Sequence, residues 1–254
     1  MTVQRNIRLL IAFDGTEFNG WQRQKHDVTI QGEIEKSITR MTNSDTTLHG
    51  AGRTDAGVHA EGMVAHFATS SNISCTAFQK GLNSMLPYAI RILEADEVPE
   101  DFHSRFSARG KHYEYTFFTG EIMPPTRRLY ALHAPYNLDF ERIEQCLKAL
   151  IGTHDFSSFE NAGSRDKNFP SRKGAVRTLM KAELQQTDQD TYTFTFIGEG
   201  FLRHMVRNIV GTLLEVGKHH RTVDEFTFAL AAKDRSTGGA TAQAHGLKLI
   251  KVLY

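Results

Sequence analysis

Gly50-Ala51-Gly52-Arg53-Thr54-Asp55-Ala56-Gly57-Val58-His59-Ala60 sets three glycines around one arginine and one carboxylate. Glycine permits left-handed backbone and lets another chain approach with no side chain in the way, so the stretch reads as a loop that exposes Asp55. The same composition also describes a hairpin turn carrying an ordinary surface aspartate. The flanks give the loop its place in the fold. Residues 46–49 read as a short strand, and after the loop Met63, Ala65 and Phe67 alternate with Val64 and His66 as a second strand. A loop held between two strands is rigidly mounted.

Working outward, Arg5–Phe13 alternates with Ile7, Leu9, Ile11 and Phe13 on one face, a half-buried strand stopped by Asp14-Gly15. Ile30, Ile34, Ile38 and Met41 recur at helical spacing up to Asn43-Ser44-Asp45, and Phe78, Leu82 and Leu86 mark a second helix closed by Pro87. Residues 90–95 form the next strand. In residues 110–119 Tyr113, Tyr115 and Phe117 share one strand face, opposite His112, Glu114, Thr116 and Phe118. Phe140, Ile143, Leu147 and Leu150 give a helix, residues 175–184 and 191–197 paired strands, residues 201–216 a longer helix, and residues 247–254 a closing strand. Strands and helices mix without a regular beta-alpha-beta period, which favours an α+β fold over a doubly wound one. The expected halves are residues 1–108 and 109–254, both mixed α/β and sharing one continuous sheet.

Composition narrows the function classes. At 254 residues with 40% hydrophobic and 23% charged, the chain has the make-up of a soluble globular protein, and no apolar run approaches the roughly 18 residues of a membrane span. Residues 9–13 are too short an apolar run for a signal-peptide core. Two cysteines, Cys75 and Cys146, lie far apart and imply neither a disulfide framework nor a zinc ribbon, so a reducing cytoplasm is expected. The net charge of +1 neither demands nor excludes nucleic acid. Its distribution is more informative. Residues 165–177 hold Arg165, Lys167, Arg172, Lys173 and Arg177 against Asp166, and Arg105, Arg109 and Lys111 form a second basic group. Either run could equally be a solvated surface loop.

Residues 52–57 match the glycine frame of a phosphate loop, but Val58-His59 stands where Lys-Ser/Thr is required. His59-Ala60-Glu61 matches half of a zinc deaminase signature, without the P-C-x-x-C half. No H-E-x-x-H pair, close Cys/His cluster or G-x-S-x-G elbow occurs. What remains is a single carboxylate, which can attack an electrophilic sugar carbon or remove a proton if it stays ionised where substrate excludes water. An arginine nearby would favour the charged form. Arg53 is adjacent in sequence, and a helix over residues 201–216 would put Arg203 and Arg207 on neighbouring turns of one face. Met205-Val206 and Ile209-Val210 surround Arg207 with apolar residues, where an unpaired charge is costly. Tyr113, beside Lys111 and His112, suits either core packing or stacking of a base.

Six ordered motifs now stand together: residues 50–60, Gly20-Trp21-Gln22-Arg23-Gln24, Asn83-Ser84-Met85-Leu86-Pro87, Phe102-His103-Ser104-Arg105-Phe106-Ser107-Ala108, His154-Asp155-Phe156, and Met205-Val206-Arg207-Asn208-Ile209-Val210-Gly211. They span nearly the whole chain, which resembles the TruA-type tRNA pseudouridine synthases. One departure is Gln243, where many relatives carry proline. The resemblance implies the pseudouridine synthase fold, an α+β fold whose two halves share a largely antiparallel central sheet with the active-site cleft between them, and an isomerase that turns uridine into pseudouridine at positions 38, 39 and 40 of the tRNA anticodon stem-loop, without metal or organic cofactor. It makes Asp55 the catalytic aspartate, adding to the sugar or taking a proton from it. Tyr113 becomes the ring that stacks on the target base, Arg207 the basic partner of the aspartate, Leu247 an apolar pocket residue and Arg53 an arginine linked to base extrusion. The family is homodimeric, so a homodimer is implied as well. A stacked base must be flipped out to react, at a cost of about a few kcal/mol that backbone contacts have to offset. Arg105, Arg172 and Lys173 are the residues expected, on charge, to make them. Two rivals remain: a tRNA-binding protein without catalysis, and a zinc-dependent base deaminase.

Overall fold

The computed structural model describes residues 4–161 and 174–254. Two compact units emerge, one running up to Arg109 and including Lys248–Tyr254, the other Gly110–Leu247. The C-terminal segment thus clusters with the first unit, although it follows the second in sequence.

In the first unit β1 (Arg5–Phe13) is the middle of the sheet. It pairs antiparallel with β3 (His59–Thr69), Ile7 opposite Phe67 and Leu9 opposite Ala65, and with β4 (Ile90–Val98). The far side of β3 receives two strands: β2 (His49–Gly50), antiparallel at His66 and Ala65, and β10 (Leu247–Leu253), parallel at His59 and Ala60. Alternation on β1 is as the sequence implies, with Ile7, Leu9 and Ile11 fully buried. On β3 it is not, because only Glu61 and Ala68 are exposed and both faces of the strand are covered.

The two helices of this unit begin and end where their caps dictate. In α1 (Ile30–Thr42) the Thr29 side chain accepts the Gly32 N–H, and Asn43 closes the helix in left-handed backbone at φ 52° with its N–H on the Thr39 carbonyl. Ile30, Ile34 and Ile38 are fully buried. In α2 (Cys75–Met85) Ser74 caps Ala77 N–H, and Asn83 clamps the helix to β4, donating to the Ile92 carbonyl at 2.8 Å and accepting its N–H at 2.9 Å. The strand expected over residues 46–49 shrinks to the two residues of β2. The reason is local, since the Leu48 N–H and carbonyl are taken by the side chains of Glu35 and Gln31.

The second unit is also built on antiparallel strands. Between β5 (Gly110–Phe118) and β8 (Val176–Asp188) lies β9 (Thr191–Gly198), antiparallel to both, and β7 (Gly152–Asp155) extends the sheet from β8. A two-residue β6 (Leu132–His133) runs parallel to β5. The helices are α3 (Phe140–Leu150), α4 (Met205–Gly217) and α5 (Val223–Ala232), the last closed at its start by a capping box of Thr222 and Glu225. One boundary departs from the sequence reading. The helix expected over residues 201–216 starts only at Met205, because His204 sits in left-handed backbone at φ 62°, which an α-helix cannot continue. Arg203 therefore precedes the helix, and the pairing of Arg203 with Arg207 on one helical face does not exist.

Helix α4 packs hard against the segment that leads to the last strand. A Cβ on Gly211 would lie 1.7 Å from the Ala240 carbonyl oxygen. Gly211→Ala must push backbone from backbone, so a loss of about 1–3 kcal/mol or more is expected, read as a lowered denaturant midpoint with unchanged slope.

Candidate active site

Asp55 opens a tight turn. The Val58 N–H donates to the Asp55 carbonyl at 3.2 Å, and Gly57, in the third position, has φ 78°, the conformation a type II turn takes there. Asp55 is half-buried, Arg53 and Ala56 are exposed, and Thr54 is buried. The turn is braced from Gly20-Trp21. Gly20 has φ 82°, and a Cβ there would come within 2.6 Å of the Thr54 carbonyl oxygen, while the Trp21 N–H donates to that same carbonyl at 3.1 Å. Gly50 lies flat against the Trp21 indole, where a Cβ would meet Nε1 at 2.6 Å. Past the turn, His59 is buried and its Nδ1 accepts the Gly15 N–H at 3.1 Å.

Behind this brace stands α1. Ile30 and Gln31 donate their N–H groups to the Gly20 and Trp21 carbonyls at 3.2 and 3.0 Å. The Gln31 side chain accepts from Arg23 N–H and Gln22 Nε2 and donates to Glu35 and the Leu48 carbonyl. Arg23 completes the set with an ion pair to the nearly buried Glu35 at 2.9 Å. The 20–24 motif is thus a backbone buttress for the aspartate loop, which sequence reasoning recognised as a motif but gave no task.

In the second unit Tyr113 lies on the inward face of β5, only 7% exposed, with Phe201 meeting its ring edge-on at 5.0 Å and 79°. The structure thus places Tyr113 in the core of the second unit, packed against Phe201. Arg207, on the first turn of α4, is half-buried and donates from Nε to the Ala242 carbonyl at 2.8 Å, while the Ala242 N–H returns to the Arg207 carbonyl. Asn208 ties Phe159, Arg235 and Thr241 together. The motif 205–211 therefore clamps residues 239–242 in place. Next comes Gln243, whose carbonyl accepts the buried Tyr115 hydroxyl at 2.8 Å, and then Leu247, 6% exposed. Burial raises the Tyr115 pKa above its ordinary value, with Arg207 opposing the rise. Gln243 holds φ −61°, close to the angle proline imposes.

Arg105 is exposed on the loop after β4, away from the aspartate turn in sequence but in the same unit. Arg172 and Lys173, with Arg165 and Lys167, lie outside the described residues. The deaminase half-motif separates: His59 is buried against Gly15, and the exposed Glu61 pairs with Lys248 at 2.5 Å. Among the described residues no group of three or more His, Cys, Asp or Glu side chains is arranged to hold a metal ion.

A family model described as tRNA pseudouridine synthase matches residues 9–107 and 146–254. The chain belongs to the tRNA pseudouridine synthase family. It is an isomerase. Among its relatives, tRNA pseudouridine synthase A 1 of Desulfotalea psychrophila is 57% identical over 98% of this chain and all of the relative, and tRNA pseudouridine synthase A of Acetivibrio thermocellus is 42% identical over the same shares. A solved archaeal box H/ACA sRNP Nop10-Cbf5 complex superposes over 95% of this chain and 46% of that one, at 13% identity and a TM-score of 0.37, too distant for any residue to be carried across.

In this pseudouridine synthase the brace predicts its own failure. Gly20→Ala strains a left-handed position and displaces the Thr54 carbonyl, and a shift near 1 Å costs about a hundredfold in rate. Turnover should fall by that order with tRNA affinity little changed, as single-turnover and filter-binding measurements would show.

A second expectation concerns pH. Buried His66 accepts the Ser104 N–H at Nδ1, 3.2 Å away, while the Ser104 hydroxyl donates to the His49 carbonyl at 2.5 Å. Burial, then the nearby His103 and His49, lower the His66 pKa to about 4. An unfolded histidine titrates near 6.5. Between those values the unfolded chain binds a proton that the folded chain refuses, so stability is lost as pH falls from about 6.5 to 4. His66→Gln should flatten the denaturation midpoint across that window, measured against wild type.

Proposed function

We propose that this synthase converts uridine to pseudouridine at positions 38, 39 and 40 of the tRNA anticodon stem-loop, with Asp55 as its catalytic carboxylate. The observation that carries this is the turn at residues 55–58, which presents one half-buried carboxylate from a backbone fixed by Gly20 and Trp21. The isomerisation balances within the nucleotide. The bond from N1 to C1′ breaks, the uracil turns, a bond from C5 to C1′ forms, the C5 hydrogen leaves as a proton and N1 gains one. No redox partner is needed. Asp55 either adds to C1′ or removes a sugar proton, and both routes require the carboxylate ionised and positioned.

By resemblance, Tyr113 stacks on the extruded base and Arg207 is the cation that serves the aspartate. Leu247 lines the pocket, and Arg53 assists extrusion of the base. Arg105, Arg172 and Lys173 hold backbone phosphates. The enzyme works in the cytoplasm as a homodimer and without a cofactor. Among the described residues no helix is long and apolar enough to cross a membrane.

Release of the C5 hydrogen isotope from labelled tRNA is the test. Wild type should release it, which a binding protein without catalysis cannot do, and Asp55→Asn should reduce release to background while tRNA affinity persists. Undiminished release by Asp55→Asn would remove the residue from its role.

A further inference from the structure

In the first unit, outside the aspartate loop, four rings follow one another. His49 and His66 stack at 5.1 Å with planes 27° apart, His66 meets His103 at 4.6 Å, and His103 meets Phe106 at 4.3 Å and 34°. The series starts at the exposed His49, passes through the buried His66 at 7% exposure and ends in water at Phe106, 78% exposed.

The loop that carries Phe106 is nonetheless fixed. Ser107 N–H donates to the His103 carbonyl at 2.9 Å, and His103 N–H donates to the Ser107 hydroxyl at 3.0 Å. The N–H groups of Arg105 and Phe106 both point at His103 Nδ1, at 3.1 and 3.4 Å. One imidazole therefore supports the phenyl ring and also sets the backbone beneath it. Holding a phenylalanine in water by this many contacts gains no burial in the chain itself. The ring leans on His103 and is otherwise mostly exposed. One exposed cation accompanies it, Arg105, with its guanidinium carbon over the ring at 5.9 Å from the centroid.

We infer that Phe106 is a stacking platform for an unpaired nucleobase of the RNA substrate, with Arg105 meeting the phosphate next to that base. The chemistry favours this occupant. A nucleobase offers a flat π-face to the exposed ring and always brings an anion with it, and aromatic–base stacking tolerates any sequence. An apolar protein partner would need more than one ring, yet the neighbours of Phe106 in the chain are Arg105 and Ser107. The inference rests on the reading that this chain acts on tRNA. It does not involve Asp55, so the two can fail separately.

The test compares wild type, Phe106→Ala and Phe106→Trp in isotope release from labelled tRNA, with melting temperature and sedimentation of each protein. Phe106→Ala should raise KM about tenfold with kcat unchanged, the size of one lost base stack, and Phe106→Trp should restore KM. An unchanged KM in Phe106→Ala overturns the platform. So does equal damage by both variants, which would mean shape rather than stacking. A smaller assembly in Phe106→Ala would assign the ring to a second copy of the chain and overturn it too. If wild type releases no isotope, the proposed activity is what fails, and filter binding of tRNA by wild type and Phe106→Ala then decides the platform alone.

Discussion

The hydrogen bond from the Trp21 N–H to the Thr54 carbonyl is the constraint on which the aspartate loop depends. At 3.1 Å it joins two segments that have no regular structure of their own. Its donor side is locked to the first turn of α1 by backbone bonds from Ile30 and Gln31, and its acceptor side leads directly into Asp55. A carboxylate on a loop would ordinarily lose precision to loop motion. Here the loop inherits the rigidity of a capped helix with three fully buried isoleucines. The close approach exists only because position 20 tolerates left-handed backbone with no side chain.

The second unit solves a similar problem with side chains. Helix α4 reaches the 239–242 segment through Arg207, Asn208 and Thr212, the last accepting the Gly239 N–H at 2.9 Å. Glu215 adds a bond to the Ala240 N–H. The bonds of Arg207, Thr212 and Glu215 satisfy main-chain groups of the segment, while Asn208 holds the Thr241 hydroxyl, which is why an irregular stretch can be packed so tightly. Arg207 thus has a structural duty at its Nε whatever else its guanidinium does. Tyr113 likewise belongs to the core, its ring packed edge-on by Phe201.

Much of this was legible in the chain. Apolar periodicity located β1, α1, α2, α3 and the β8–β9 pair, and the glycine frame marked the aspartate loop before any comparison. The failures share a cause. Residues 46–48 lost their strand to the side chains of Gln31 and Glu35, and α4 started late because His204 takes left-handed backbone with no glycine to announce it. Both depend on partners or angles that local pattern does not encode. Helix α5 went unnoticed although Thr222 and Glu225 spell a capping box. The motifs themselves were visible, but their tasks were not, since Asn83, Ser104 and Asn208 act on backbone brought close only by folding. That an arginine and a phenylalanine in one motif would both face water could not be read from composition at all.

The strand β10 lies parallel to the start of β3, yet the whole second unit is synthesised between them. During translation the edge of β3 at His59 and Ala60, adjoining the aspartate loop, stays unpaired until β10 emerges. Pairing over so long a sequence separation is slow, and an open strand edge invites association with other chains in the meantime. Pairing beside the Asp55 loop thereby waits on a strand that follows the whole second unit, so a nascent chain that has not yet made residues 247–253 carries Asp55 without the strand that lies against the start of β3.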